Sequence, residues 1–210
     1  MSMLPGGPVW TGEQPLVLAS RSAGRRSLLA SCGIEAQVRP AQIDERAIEA
    51  GMASRGAMPV AVARGLAAEK ARVVSRELPG RIVLGADQVL AFEDKCWAKA
   101  ADLDEARRRL TQLSGAHHQL ISACALARDG AVVFETIDVA NLQMRTLSQV
   151  DIETYVAFVG RDALASVGSY RIEGLGRLLF DRVEGDQATI IGLPLTRLLG
   201  YLRANGLIRL

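Results

Sequence analysis

Apolar positions along the chain follow two rhythms. Short unbroken runs, PLVLAS at 15–20 and RIVLGADQVLAF at 81–92, have the length of buried strands. The second is interrupted by Gly85, Ala86 and Asp87, which suggests a broken strand or a strand pair. Between them, Leu28, Leu29 and Cys32 share one helical face in residues 21–33, and Gly33 is a stop signal. Residues 34–44 suggest a second strand and a loop, with Asp44 and Glu45 in the loop. Val60, Ala63, Ala67, Ala71 and Val74 recur at helical spacing and predict a helix over 59–78, ended by Pro79-Gly80.

The second half of the chain has clearer punctuation. Asp102 and Glu105 stand at capping-box spacing before a helix that ends at Gly115. Residues 117–147 contain two or three strands, with Asp129-Gly130 as a hairpin turn. Ser148 opens a helix to Val159, RLLFDRV (177–183) and ATIIG (188–192) suggest short strands, and a last helix runs from Pro194 to Asn205-Gly206. Mixed helices and strands with a strand-rich middle predict an α/β fold with a mixed, twisted sheet and flanking helices. With no repeat or linker, the expectation is one domain over 15–210, with two lobes around a cleft, after a loose tail at 1–14.

Composition narrows the function classes. Of 210 residues, 49% are hydrophobic and 23% charged, and 25 basic against 23 acidic residues leave a net charge of +2. This gives no basis for a nucleic-acid polymer or membrane surface as partner. Cys32, Cys96 and Cys124 are dispersed and odd in number, which argues for a reducing compartment and a cytoplasmic location. No run has the length of a spanning helix, and the first residues lack a signal-peptide pattern.

Several short segments carry candidate chemistry. SRSAGRR (20–26) joins an expected strand to an expected helix. Arginines in a helix's first turn oppose its dipole, and an anion there would reconcile them with the free N–H groups. The bland alternative is a solvated helix start. IDE (43–45), EK (69–70), GAD (85–87) and AK (98–99) each put charge near the end of an apolar segment. Two carboxylates and two lysines would suit a hard cation with phosphates. Most of these also read as ordinary surface charge; Asp87, inside an apolar run, does not. His117-His118 point to opposite sides of a strand and make poor joint metal ligands, and Cys124 reads as packing.

Taken in order, LVLASRSAGRRSLLASCGI, IDE, EKA, IVLGADQV, AK, EARRRLTQLSG, VGSYRIEGLGRLLF and GDQATIIGLPL resemble the Maf family of nucleoside triphosphate pyrophosphatases over roughly residues 16–205. The resemblance implies a fold related to inosine triphosphate pyrophosphatases. It implies hydrolysis of the α–β phosphate bond to a monophosphate and pyrophosphate, with Mg²⁺ or Mn²⁺. It further implies Asp87 as base, Glu45 with Asp87 as metal ligands, Lys70 and Lys99 as phosphate-neutralising groups, and Ser20, Ser22, Arg25 and Arg26 as triphosphate ligands. The family's SxSPRR reads SRSAGRR here, and its GKP reads AKA.

Gln88 after GAD, and Glu173 in RIEG, resemble the subgroup acting on 7-methyl-GTP. A carboxylate accepts guanine's N–H donors and favours a cationic base. Gly24, where that subgroup often has an aromatic residue, cannot stack, so Trp97 or Tyr170 would have to serve. The alternatives are a dTTP or UTP pyrophosphatase of the same family, or a non-catalytic nucleotide-binding regulator of cell division. A homodimer is compatible with all three.

Overall fold

A computed structural model describes residues 6–93 and 95–210. In chain order the elements are β1 (Val17–Leu18), α1 (Ala23–Ser31), β2 (Gln37–Val38), α2 (Glu45–Ala53), α3 (Pro59–Glu77), β3 (Val83–Phe92), β4 (Lys95–Trp97) and α4 (Leu103–Leu113). The second half adds β5 (His117–Arg128), β6 (Ala131–Met144), α5 (Gln149–Val159), β7 (Phe180–Glu184), α6 (Gln187–Ile191) and α7 (Leu195–Ala204). The strands form one mixed sheet in the order β2-β1-β3-β5-β6-β7, and β4 also pairs with β3. The β1 pairings with β2 and β3 are parallel; those among β3, β4, β5, β6 and β7 are antiparallel. Asp129 and Gly130 both have positive φ, 53° and 79°, as the tight turn joining β5 to β6 requires.

β3 organises the molecule. It is one unbroken strand of ten residues, not the pair or broken strand that its sequence suggests. Being covered on both faces, it reads as a continuous apolar run. Its odd positions face α3: Val83 packs with Val74, and Val89 with Val62, Ala63 and Leu66. Its even positions divide between two cores. Leu84 and Ala86 pack with residues of α1 and α7, whereas Leu90 packs with residues of α4 and α5. Gln88 lies at the division.

One edge of β3 pairs with β5 from Val83 to Ala91. The other pairs with β1 at Val83 and Leu84, and with β4 from Leu90 to Phe92. Between these, the segment 85–89 has no strand partner on that edge among the described residues. The candidate chemistry gathers at this gap.

Gly85 sets the depth of α3 against the sheet. A Cβ there would sit 2.1 Å from the Ala67 carbonyl oxygen and 2.5 Å from the Ala71 nitrogen. Both obstacles are helix backbone, so neither can rotate aside. The alanines at 63, 67 and 71, which the sequence displays at helical spacing, are the other half of this close approach.

Four expectations need correction. The supposed loose tail is packed from Gly6 onward: Trp10 is fully buried, bridges Ile208 and donates its indole N–H to Gln14 O at 2.8 Å. Residues 1–5 lie outside the described residues. Glu45 begins a helix, not a loop; Asp44 caps it by accepting from Ala47 N at 3.0 Å. Only Ile48 and Met52 of this helix pack on the core, too short a stripe to register as periodicity. ATIIG is helix α6, not a strand, because Asp186 caps it and β3 and β5 hold its last carbonyls. RLLFDRV begins as a 3₁₀ turn and becomes strand only at Phe180.

Among the described residues, no helix is long and apolar enough to cross a membrane.

Replacing Gly85 with alanine should destabilise the fold by about 1–3 kcal/mol through overpacking. Thermal unfolding should show a midpoint lowered by roughly 2–4 °C per kcal/mol. Gly200→Ala in α7, where nothing approaches the added methyl group, should shift the midpoint the other way.

Candidate functional site

The site begins with a lysine between two carboxylates. Lys70 projects from α3 to Asp87 on β3 with Nζ 2.6 Å from Oδ1, and reaches Glu45 Oε2 at the start of α2 at 2.8 Å. Lys70 and Asp87 are both nearly inaccessible, with side chains 7% and 9% exposed, while Glu45 is half exposed. Burial raises the Asp87 pKa above the usual carboxylate range, and the nearby Lys70 and Arg25 charges pull it back. Desolvation makes the carboxylate a stronger base, and the lysine keeps its ionised form accessible. Among the described residues, neither Asp87 Oδ2 nor Glu45 Oε1 has a protein hydrogen-bond partner.

The strand-to-helix turn at 20–26 closes the gap in β3. Ser22 caps α1, its hydroxyl accepting from Arg25 N at 3.3 Å. Ser20 Oγ accepts from Ser22 N at 3.3 Å and from Arg25 Nη1 at 3.0 Å. Arg25 itself is buried. Its Nη1 also donates to Ala86 O at 2.8 Å, and its Nε to Gly192 O at 2.8 Å. The sequence places Arg25 among the triphosphate ligands; here its Nε and Nη1 serve three protein acceptors, and its Nη2 has no protein hydrogen-bond partner among the described residues. It meets the unpaired edge of β3 one residue before Asp87. Burial lowers its pKa, and the charges of Asp87 and Glu45 oppose that shift. Arg26 is exposed, with no side-chain partner among the described residues.

Lys99, on the segment following β4, belongs to the same electrostatic neighbourhood. Its pKa is lowered by desolvation and by the Arg25 and Lys70 charges, with Glu45 and Asp87 opposing. Glu49 is a member that sequence reasoning missed. It lies one helical turn beyond Glu45, half buried, with its pKa raised by burial and by Asp87 and Glu45. The only sequence signal is its four-residue spacing from Glu45, which carries meaning only where residues 45–53 are known to be helical. Cys96 pairs across from Ala91 and so shares the Asp87 face of the sheet.

The three residues expected to set specificity are separated. Gln88 points away from Asp87, since adjacent strand residues face opposite sides. Its amide nitrogen donates to Ser122 Oγ at 3.1 Å and to the carbonyls of Thr189 and Ile190 at 3.0 Å. Gly24 lies on the first turn of α1, where an added Cβ would come 2.8 Å from Ile191 Cγ2. Glu173 is elsewhere, half exposed beside a cavity of about 290 Å³, with Arg171 Nε at 3.5 Å. None of its described partners belongs to the Asp87 cluster.

Neither candidate stacking aromatic is free. Tyr170 is buried, its hydroxyl 2.6 Å from His118 Nε2. Trp97 lies across from Leu90, on the sheet face opposite Asp87, with the Arg109 guanidinium 5.6 Å from its ring centre. It lines a cavity of about 640 Å³ shared with Lys95 and Arg108. His118 is a core residue whose pKa burial pulls down to about 4.

A strand edge without a strand partner beside a buried carboxylate, with a serine-capped helix start, Lys70 and Lys99 in the same neighbourhood, gives an α/β fold a place where negative charge can be held and a proton taken up. The chain belongs to the Maf family: the family pattern described as Maf-like protein matches residues 15–205. A relative from Rhodopseudomonas palustris (strain BisB18), called nucleoside triphosphate pyrophosphatase, is 48% identical over 95% of this chain and 98% of its own. Another, from Mesorhizobium japonicum, is called 7-methyl-GTP pyrophosphatase and is 46% identical over 93% of this chain and 98% of its own. A solved HAM1 protein from Coxiella burnetii aligns with 18% identity over 62% of this chain and 72% of that one, at a TM-score of 0.38, too slight a likeness to argue from.

Removing the Lys70 cation should leave Asp87 buried without its partner. Lys70→Met is expected to cost about 3–5 kcal/mol near neutral pH in denaturant unfolding. Asp87 then binds its proton more tightly folded than unfolded, so the deficit against wild type should shrink as pH falls. A deficit that is flat between pH 8 and pH 5 would show that the pair does not carry the cost.

Proposed function

We propose that this protein is a nucleoside triphosphate pyrophosphatase that cleaves the α–β phosphate bond, releasing a monophosphate and pyrophosphate. The observation that carries this reading is the buried, lysine-paired Asp87 facing an open strand edge, with pKa raised by burial. The names of the relatives support the substrate class. In this reading Asp87 takes the proton from a water attacking the α-phosphorus. Ser22, Arg26, Lys99 and the N–H groups of α1 meet the phosphate oxygens. Lys70 holds Asp87 and Glu45 in place, and Arg25 fixes the strand edge that bears Asp87.

A divalent cation, Mg²⁺ or Mn²⁺, fits the donor set. Glu45 and Asp87 converge on one lysine through one oxygen each, leaving Glu45 Oε1 and Asp87 Oδ2 for a metal. No group of three His, Cys, Asp or Glu that could cage a metal occurs among the described residues. Two carboxylates, with phosphate and water completing the shell, suit Mg²⁺. Bound there, the ion would supply charge stabilisation at the phosphates.

For the substrate, we infer a modified guanine nucleotide, 7-methyl-GTP being the named case among relatives. Glu173 supports this through its carboxylate, which complements N–H donors and a cationic ring. Tyr170 is buried and Trp97 lies on the sheet face opposite Asp87, so neither stacks beside the Asp87 cluster, which favours a broader range than one methylated base.

Asp87→Asn should lower pyrophosphate release from the best substrate by at least about a hundredfold in the presence of Mg²⁺ or Mn²⁺. Full turnover in that variant would remove Asp87 as base. Saturable binding of 7-methyl-GTP, GTP, dTTP, UTP and CTP with no turnover of any would instead favour a nucleotide-binding regulator.

Glu173→Gln should shift the ratio of kcat/KM values from 7-methyl-GTP toward dTTP and UTP, by about tenfold. An unchanged ratio would remove Glu173 from substrate choice.

A further inference from the structure

Gln88 and Arg25 pin the backbone on the two sides of one apolar residue. On one side, the Gln88 amide and the Ser122 hydroxyl, the latter donating to Thr189 O at 2.6 Å, fix the last turn of the five-residue α6. On the other, Arg25 Nε fixes the carbonyl of Gly192, a residue at φ 120° that a side chain would rarely adopt. A Cβ on Gly192 would also press on the Arg25 guanidinium at 3.4 Å. Between the two pins lies Ile191.

Ile191 is half buried and belongs to none of the hydrophobic cores of the described residues. Its Cγ2 occupies the space that a side chain at position 24 would enter, on the first turn of α1 beside Ser22 Oγ. A β-branched side chain held at both flanks, unused by the core and lying against the anion-binding turn is placed to touch whatever that turn binds.

We propose that Ile191 is an apolar wall for the nucleoside part of the substrate, and that Gln88 is a positioning residue that acts on substrate choice through Ile191 without touching the base. The proposal rests on the reading that a triphosphate binds at the start of α1. It deepens that reading by giving Gly24 a physical role: the absent side chain leaves room for Ile191. It also explains how a residue facing away from Asp87 can bear on substrate choice.

The test compares ligands with and without a nucleoside. Affinities of wild type, Ile191→Ala, Gln88→Ala and the double variant are measured for GMP, 7-methyl-GMP, dTMP and inorganic pyrophosphate, with thermal midpoints recorded for each. Ile191→Ala should weaken nucleoside monophosphate binding by about tenfold and leave pyrophosphate affinity within about twofold. Gln88→Ala should weaken the same ligands, and the double variant should be no worse than Ile191→Ala alone. Equal losses for pyrophosphate and nucleotides, or no loss at all, would overturn the role of Ile191. Additive losses in the double variant would overturn the indirect role of Gln88. A wild-type protein that binds neither nucleotide nor pyrophosphate would sink the pyrophosphatase reading itself.

Discussion

The buried contact between Lys70 and Asp87 is what the surrounding elements are arranged to permit. A carboxylate inside a doubly covered strand has no water to stabilise it, so its charge survives only with a partner at hydrogen-bond distance. That partner must come from α3, the helix covering the odd face of β3. At 2.6 Å there is no slack in the approach. Gly85 and the alanine stripe of α3 follow from this constraint, because a side chain at position 85 would meet the helix backbone and lift Lys70 away. Glu45 brings a second carboxylate to the same ammonium from the rim, so α2 is tied to the same point. Such an ion pair is a weak source of net stability, yet costly to break on one side only. A site that needs a partly desolvated base gains from both properties.

β3 also separates two kinds of work. Its alternation sends Asp87 toward α3 and Gln88 toward α6, so neighbours in sequence act on different layers. The gap between the β1 and β4 pairings exposes one strand edge at this height, and Arg25 takes the Ala86 carbonyl left there. An interior carbonyl without a strand partner needs a donor, and a guanidinium supplies several in a fixed plane. The same arginine reaches the Gly192 carbonyl. One buried side chain thus ties the turn before α1, the centre of β3 and the end of α6 into a rigid frame around the opening.

Legibility in the sequence followed the range of the interactions. Local signals were sufficient for the Asp129-Gly130 turn, for the start of α5 at Ser148 and for the long α3, since each is decided within a few residues. The gathering of Glu45, Lys70, Asp87 and Lys99 was legible only as an ordered set of blocks, because no single block says where its neighbours lie. What stayed hidden was decided across the chain. ATIIG has strand propensity, but partners on β3 and β5, about a hundred residues away by the Gln88 contacts, hold it as a helix. The framing role of Arg25 could not be read locally, because its Gly192 acceptor is 167 positions distant. Trp10 looked like part of a tail because its bridge partner, Ile208, is near the opposite end of the sequence.

The separation of Gln88 from Glu173 bears on how substrate choice is built. If both touched one base, they would form a single hydrogen-bonding edge, and changing either would leave the other unmatched. Here Gln88 has its donors occupied beneath α6, while Glu173 keeps a half-exposed carboxylate beside Arg171. The first can influence only the shape of the opening, and the second can contribute charge and acceptors. Shape and charge discriminate differently. A methylene's worth of fit changes affinity by about ten- to two-hundredfold, whereas an unmatched buried polar group excludes a ligand far more strongly. On the proposed reading, an apolar wall set by Gln88 would grade substrates by size, and strict exclusion would have to come from a polar group that the bound base desolvates. Glu173, exposed and partnered by an arginine, meets that condition only if the substrate covers it.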